Sequence, residues 1–188
     1  QFDPPKAGQL RSALSFSQAA IQLRVMFLLE GELDAALHSF AVKFSDILRR
    51  HLVIYGDDPF AGVSISRADT VIRLKQTLLN QVLRLREAYV SRGSREEQLV
   101  ATIADAAGPL RASAAAMLEL EGTPVTSGKE ALEQIAASLP EGTERTKDLD
   151  LVSEARQRRS LPTGLAGQVL LHLIELACTM LQRADNIR

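Results

Sequence analysis

The sequence predicts a mainly α protein, with a bundle of five helices after residue 65 and a small α/β segment before it that has one or two strands. Residues 66–92 contain no Pro or Gly, which favours one long helix. Apolar residues recur at helical spacing through most of the chain beyond that point. The composition, 46% hydrophobic over 188 residues, is sufficient to bury a core.

The first segment, residues 1–65, mixes short elements of different character. Residues 13–20 predict a short helix, and residues 30–37 predict one or two helical turns. Residues 21–28, IQLRVMFL, are rich in apolar and β-branched side chains and indicate a strand. We expect this segment to be a partial α/β unit followed by a connector.

Residues 39–48 carry the clearest strand pattern in the chain. Phe40, Val42 and Phe44 alternate with smaller or polar residues, and a period of two is typical of a strand with one buried face. Residues 51–66, which contain Gly, Asp and Pro, predict a loop. The exposed edges of such a small sheet would need covering, either by chain outside this sequence or by a partner.

The second segment, residues 66–188, predicts the helical bundle. Ser66 is a suitable N-cap with Asp69 three residues later, and Gly93 is a suitable C-terminal stop. The second helix could bend near Pro109, because proline lacks a backbone donor. The four further helices are predicted at 95–120, 127–138, 149–158 and 162–184.

The helix at 66–92 offers candidate binding residues. At 100° per residue its apolar side chains occupy two adjacent sectors that form one broad face. Lys75 and Arg86 lie within about 20° of each other inside that face, while Arg84 belongs to the polar side. Either Lys75 and Arg86 bury their methylene stems and direct their charges to the edge, or they form a cationic notch. Lys75, Arg84 and Arg86 are the candidates for contacting a phosphate or an acidic partner surface.

The last predicted helix is apolar around most of its circumference. Such a helix lies at the centre of a bundle or in an oligomer interface. His172 and Glu175, three residues apart, could form a structural hydrogen bond or an acid/base pair. Cys178 has no evident activating neighbour and is interpreted as a small core residue.

Composition excludes several classes of function. A net charge of −1 and an aromatic content of 4% argue against a nucleic-acid binder. The single cysteine argues against a disulfide framework, so a cytoplasmic location is expected. No apolar run reaches transmembrane length, and we expect no membrane association. The sequence begins with Gln1 rather than Met, so we expect a processed product or part of a longer one.

The common catalytic and metal-binding motifs are missing. The sequence has no Walker-type loop, no GxGxxG and no GxSxG. Its three histidines do not follow HExxH or another ligand spacing, so no metal site is predicted. Asp57 and Asp58 precede Pro59 and are interpreted as turn formers rather than metal ligands.

Two stretches resemble a known family. Residues 23–65, LRVMFLLEGELDAALHSFAVKFSDILRRHLVIYGDDPFAGVSI, and residues 78–90, LLNQVLRLREAYV, are similar to bacterial nucleotidyltransferase-domain proteins of the polymerase-β type. The family's FPIEFLDI, HRVLYGEDPFAGL and LLRLRQAY blocks correspond to residues 40–47, 51–63 and 82–89. The resemblance implies a small mixed sheet followed by an all-helical HEPN-like or substrate-binding domain.

The same resemblance implies which catalytic parts lie outside this chain. The family's Gly-Ser turn and DxD hold a nucleoside triphosphate and Mg²⁺, and the sequence ahead of residue 40 has neither. A further acid of the family's strand corresponds to Asp46. No cofactor is therefore expected in this chain, and Mg²⁺ with a nucleoside triphosphate would require an upstream segment. The Arg-x4–6-His signature of HEPN ribonucleases is also missing.

Two functions follow as hypotheses. The first is the helical substrate-binding or dimerisation part of a nucleotidyltransferase-like protein, with a nucleotide or small molecule as its substrate. The alternative is a non-catalytic helical interaction module that homodimerises through its apolar C-terminal helix. A third hypothesis, free-standing catalysis by His172 and Glu175, has the weakest support from the sequence.

Overall fold

The computed structural model describes residues 3–21, 23, 25–93, 95–139 and 142–187, with the backbone alone for 142–144. The described residues form helices and no strand, which confirms a mainly α fold. The helices are α1 (Pro4–Gln9), α2 (Arg11–Ile21), α3 (Leu33–Ser39), α4 (Ala41–Arg50), α5 (Arg67–Arg92), α6 (Glu96–Leu120), α7 (Gly128–Ala137), α8 (Gly142–Arg158) and α9 (Ala166–Asp185).

The chain divides into two compact units, Gln1–Ser39 and Phe40–Arg188. In the first unit, the Asp3 side chain caps α1 by accepting a hydrogen bond from the Lys6 backbone at 3.2 Å. Helix α2 contains the helix predicted at 13–20, and a 3₁₀ turn at Glu30–Glu32 leads into α3, as the helical turns at 30–37 predicted.

The strand predicted at 21–28 is wrong where the structure describes it. Ile21 is the last residue of α2, and residues 23 and 25–28 have no regular structure. The remaining two positions, 22 and 24, lie outside the described residues. Apolar and β-branched composition over eight residues is a weak signal, because a strand also needs a neighbouring strand to pair with.

The strand predicted at residues 40–47 is also wrong, because these residues enter and form α4. Ala41, Val42 and Phe44 are buried, and α4 packs against α5 and α6. Phe40 is 60% exposed at the N-cap position, whereas Phe44 is fully buried. A strand would place both phenylalanines on one face. The gain from packing a helical face on the bundle outweighs the weak local preference for a strand.

The second unit is built around α5, α6 and α9, which pack on one another. Helices α7 and α8 pack against α6 and against each other, and α4 adds a further helix. Five helices were predicted after residue 65, where the described residues form α5 to α9, and the compact unit also includes α4. Residues 40–65, placed with the first segment from the sequence, lie in the same compact unit as the later helices.

Local capping fixes the ends of several helices. The Ser66 hydroxyl accepts from the Asp69 backbone at 3.0 Å at the start of α5, and Gly93 follows its last residue. Ser127 caps α7 in the same way, at 3.1 Å from the Glu130 backbone. Helix α6 continues through Pro109, near which a bend was predicted, to Leu120.

Candidate functional site

Helix α5 has two apolar sectors, and the bundle covers only one of them. Leu74, Leu78, Val82 and Leu85 are buried in the core. The second sector is exposed to solvent, and we call it the α5 stripe: Ile72 (62% exposed), Leu79 (47%), Leu83 (54%) and Val90 (85%). The sequence predicted one broad apolar face, and the described helices of the second unit cover only half of it.

Lys75 and Arg86 lie at the boundary between the buried sector and the α5 stripe. The Lys75 Nζ atom is 3.6 Å from Asp185 Oδ1, and the Arg86 Nη2 atom donates to Cys178 Sγ at 3.2 Å. Both contacts are to the α9 side of the bundle. Eleven residues of helix separate their backbone positions by about 16 Å along α5, and the two side chains contact different residues of α9.

Arg84 lies on the other side of α5. Nine residues of helix turn it about 180° from Lys75. Its side chain is exposed and lines a cleft of about 100 Å³ between α5 and α6, with Arg92, Thr102 and Asp105 also in the lining. The three candidate cations thus occupy separate positions on the helix and do not converge on a common point.

Asp46 lies within a helix and takes part in ion pairs. It bonds to Arg50 on the next turn of α4 and lies 3.6 Å from Arg49 Nη1. The Arg49 Nε atom donates to Glu119 Oε1 at 2.7 Å, which connects α4 to the end of α6. These contacts assign Asp46 to the packing of α4.

His172 and Glu175 each contact α8. The His172 Nδ1 atom hydrogen-bonds to Asp148, and Glu175 Oε2 lies 2.9 Å from Arg145 Nη1. The His172–Asp148 contact spans 24 residues of sequence, so helical spacing alone could not reveal it. The two contacts connect α8 and α9 across their interface.

A hydrogen bond between His51 and Asp58 stabilises the connector that follows α4. His51 Nε2 lies 3.2 Å from both carboxylate oxygens of Asp58, and the Asp58 carboxylate accepts from the Phe60 backbone at 2.9 Å. The hydrogen bond to Asp58 and a second one to the Leu48 carbonyl raise the pKa of His51. The Phe60 backbone donor and His51 lower the pKa of Asp58.

The hydrogen bonds of the Asp58 carboxylate to His51 and to the Phe60 backbone are consistent with Asp58 as a turn former. The ring of Phe60 packs near those of His51 and Phe44, with centroid distances of 5.2 and 6.1 Å. Beside it, residues 52–55, LVIY, have no regular structure and expose their apolar side chains.

Within the described part of the chain, no group of three His, Cys, Asp or Glu side chains is arranged to hold a metal ion. Its helices are also too short or too polar to cross a lipid bilayer. No family model, no curated protein and no solved structure matches this chain.

Proposed function

We propose that residues 40–188 form a non-catalytic helical protein-interaction module, and that the α5 stripe is its docking face. The observation that carries this proposal is the exposure of four large apolar side chains in one line along a helix whose adjacent apolar sector forms the core. Contiguous apolar patches on a protein surface commonly mark interaction sites.

The geometry of the α5 stripe favours a helical partner. Ile72 and Val90 are 18 residues apart, so the stripe is about 27 Å long and one side chain wide. A straight apolar ridge of this kind packs well against an amphipathic helix, whose own apolar side chains recur at matching intervals.

The placement of the acid and base side chains supports a non-catalytic role. Asp46, His172 and Glu175 each bond to a neighbouring charged residue in or between helices of the bundle. A catalytic site would need such groups to converge on a cleft where a substrate can bind. The proposal includes a cytoplasmic location, for which the argument is the single cysteine, Cys178.

Thiol labelling tests whether the docking face is open in the full chain. Leu83→Cys and Leu85→Cys, each in a Cys178→Ser background, place single thiols two residues apart on α5. At high dilution, Cys at 83 is expected to react with a maleimide far faster than Cys at 85, because Leu83 is exposed and Leu85 is buried. Equal protection at both positions would show that the α5 stripe is covered by this chain itself and would end the proposal.

A second candidate function is the helical accessory part of a nucleotidyltransferase-like protein. The blocks at 51–63 and 82–89 favour it, as does the exposed LVIY run at 52–55, whose composition suits a strand of a larger sheet. In this candidate, Arg84 contacts a phosphate in the cleft between α5 and α6. Calorimetric titration with Mg²⁺-ATP is expected to give heat that Arg84→Ala diminishes. A titration without heat would count against it.

A further inference from the structure

We infer that the partner of the α5 stripe is a second copy of this chain, docked antiparallel about a two-fold axis that passes α5 near residue 81. This inference rests on the proposed interaction function and specifies its partner. It replaces the C-terminal helix as the dimer surface, because most apolar side chains of α9 are buried within its own unit.

The α5 stripe belongs to a heptad pattern. With two polar positions included, its members follow one another in alternating steps of four and three residues, which is the seam of two helices packed along their length. The six positions are Ile72, Gln76, Leu79, Leu83, Arg86 and Val90.

The order of residues along this seam is self-complementary. In an antiparallel pair centred at residue 81, residue i of one copy faces residue 162 − i of the other. Ile72 then faces Val90, and Leu79 faces Leu83, so each apolar side chain meets an apolar one. Gln76 faces Arg86, where the amide oxygen can accept from the guanidinium. No charged side chain is buried against an apolar one in this register.

The charges beside the seam favour the same orientation. Arg73 and Glu87 occupy equivalent flanking positions, and within the chain Arg73 donates to Gln76 Oε1 at 2.8 Å while Glu87 accepts from Ser91 Oγ at 2.8 Å. In the antiparallel pair Arg73 of each copy also lies near Glu87 of the other, with opposite charges. A parallel pair would instead place Arg86 directly against Arg86 in the centre of the seam. Like charges held together in a desolvated contact are unfavourable, so the parallel orientation is disfavoured.

Sedimentation equilibrium of the full chain over a concentration series tests the inference. The wild-type mass is expected to rise from one copy to two. Leu83→Arg is expected to weaken association by about tenfold or more, because it places a charge against Leu79 of the second copy. Ile54→Arg, the matched control at an exposed apolar residue outside α5, should leave association unchanged.

A charge exchange provides a second test that loss of folding cannot imitate. Arg73→Glu alone is expected to weaken association several-fold, and Arg73→Glu with Glu87→Arg is expected to restore it. A wild-type mass of one copy at every concentration, together with rapid labelling of Cys at 83, would overturn the second copy as partner but leave the docking face intact. A dimer unaffected by Leu83→Arg would overturn the inference as well.

Discussion

The helical state of residues 41–50 makes a prediction about two phenylalanines four residues apart. Phe44 is fully buried where α4 packs against α5 and α6, and its ring lies near that of Phe60. Phe40 precedes α4 and is 60% exposed. Truncation to alanine should therefore have very different consequences at the two positions.

The expected losses of unfolding free energy follow from how deeply the two phenylalanines are buried. Replacing a fully buried phenylalanine by alanine removes its transfer free energy and leaves a cavity, which costs about 3–5 kcal/mol of unfolding free energy. At Phe40 only the covered part of the side chain loses burial, which amounts to about 1 kcal/mol or less. The expected difference between the two variants is thus about 2–4 kcal/mol.

Urea unfolding followed by circular dichroism measures both values under identical conditions. The strand interpretation, with its period of two, places Phe40 and Phe44 on one face and requires similar costs. If the unfolding free energies of Phe40→Ala and Phe44→Ala agree within about 1 kcal/mol, the burial of Phe44 beneath α5 and α6 and its role in the core are refuted.

Two further predictions concern pH and backbone packing. Protonated His51 donates to Asp58, and its raised pKa means that this stabilisation is full below about pH 6.5 and is lost as the pH rises through the folded-state pKa. The wild-type melting temperature should therefore fall between about pH 6 and 8, and His51→Gln should flatten that slope. Gly128→Ala should cost about 1–3 kcal/mol, because its Cβ would lie 2.8 Å from the Arg111 carbonyl oxygen on α6. Gly167→Ala, whose Cβ meets nothing within 4 Å, should stabilise by about 0.5–1 kcal/mol.

For each of these predictions a specific result would contradict the reasoning. An identical pH slope in wild type and His51→Gln would mean that the contact with Asp58 contributes nothing to stability. Asp58 adds a second pH dependence, because its lowered pKa predicts that the stability it contributes is lost as the pH falls below about 4. Equal thermal stabilities of Gly128→Ala and Gly167→Ala would contradict the close approach of α6 and α7.

Local signals in the sequence predicted the starts of α5 and α7, whereas α8 begins at Gly142 and not at the predicted residue 149. Ser66 caps α5 as predicted, and Ser127 caps α7 at the start of the predicted range 127–138, because a capping hydrogen bond joins residues only three positions apart. The strand prediction for residues 39–48 was wrong for the opposite reason. Over such a short run, alternating apolar residues fit a strand and a packed helix equally well, and long-range contacts with α5 and α6 decide between them.

The candidate site was only partly accessible from the sequence. The pattern of α5 revealed its two apolar sectors, but which of them the bundle covers depends on how α6 and α9 pack. The partners of His172 and Glu175 come from α8, 24 or more residues away, and no periodicity within α9 indicates them. The pattern predicted that Lys75 and Arg86 share a face, but not that each of them contacts a different residue of α9.

Inter-copy distances between spin labels test the central claim, that α5 presents a self-complementary docking face, most directly. Labels on Asn80→Cys or Ser91→Cys, in a Cys178→Ser background, lie on the exposed side of α5 beside the seam. In the antiparallel pair, the two labels at 80 should be offset by about 3 Å along the helices, and those at 91 by about 30 Å. Two short distances, or no dipolar coupling between copies at concentrations where the chain is most associated, would contradict the account.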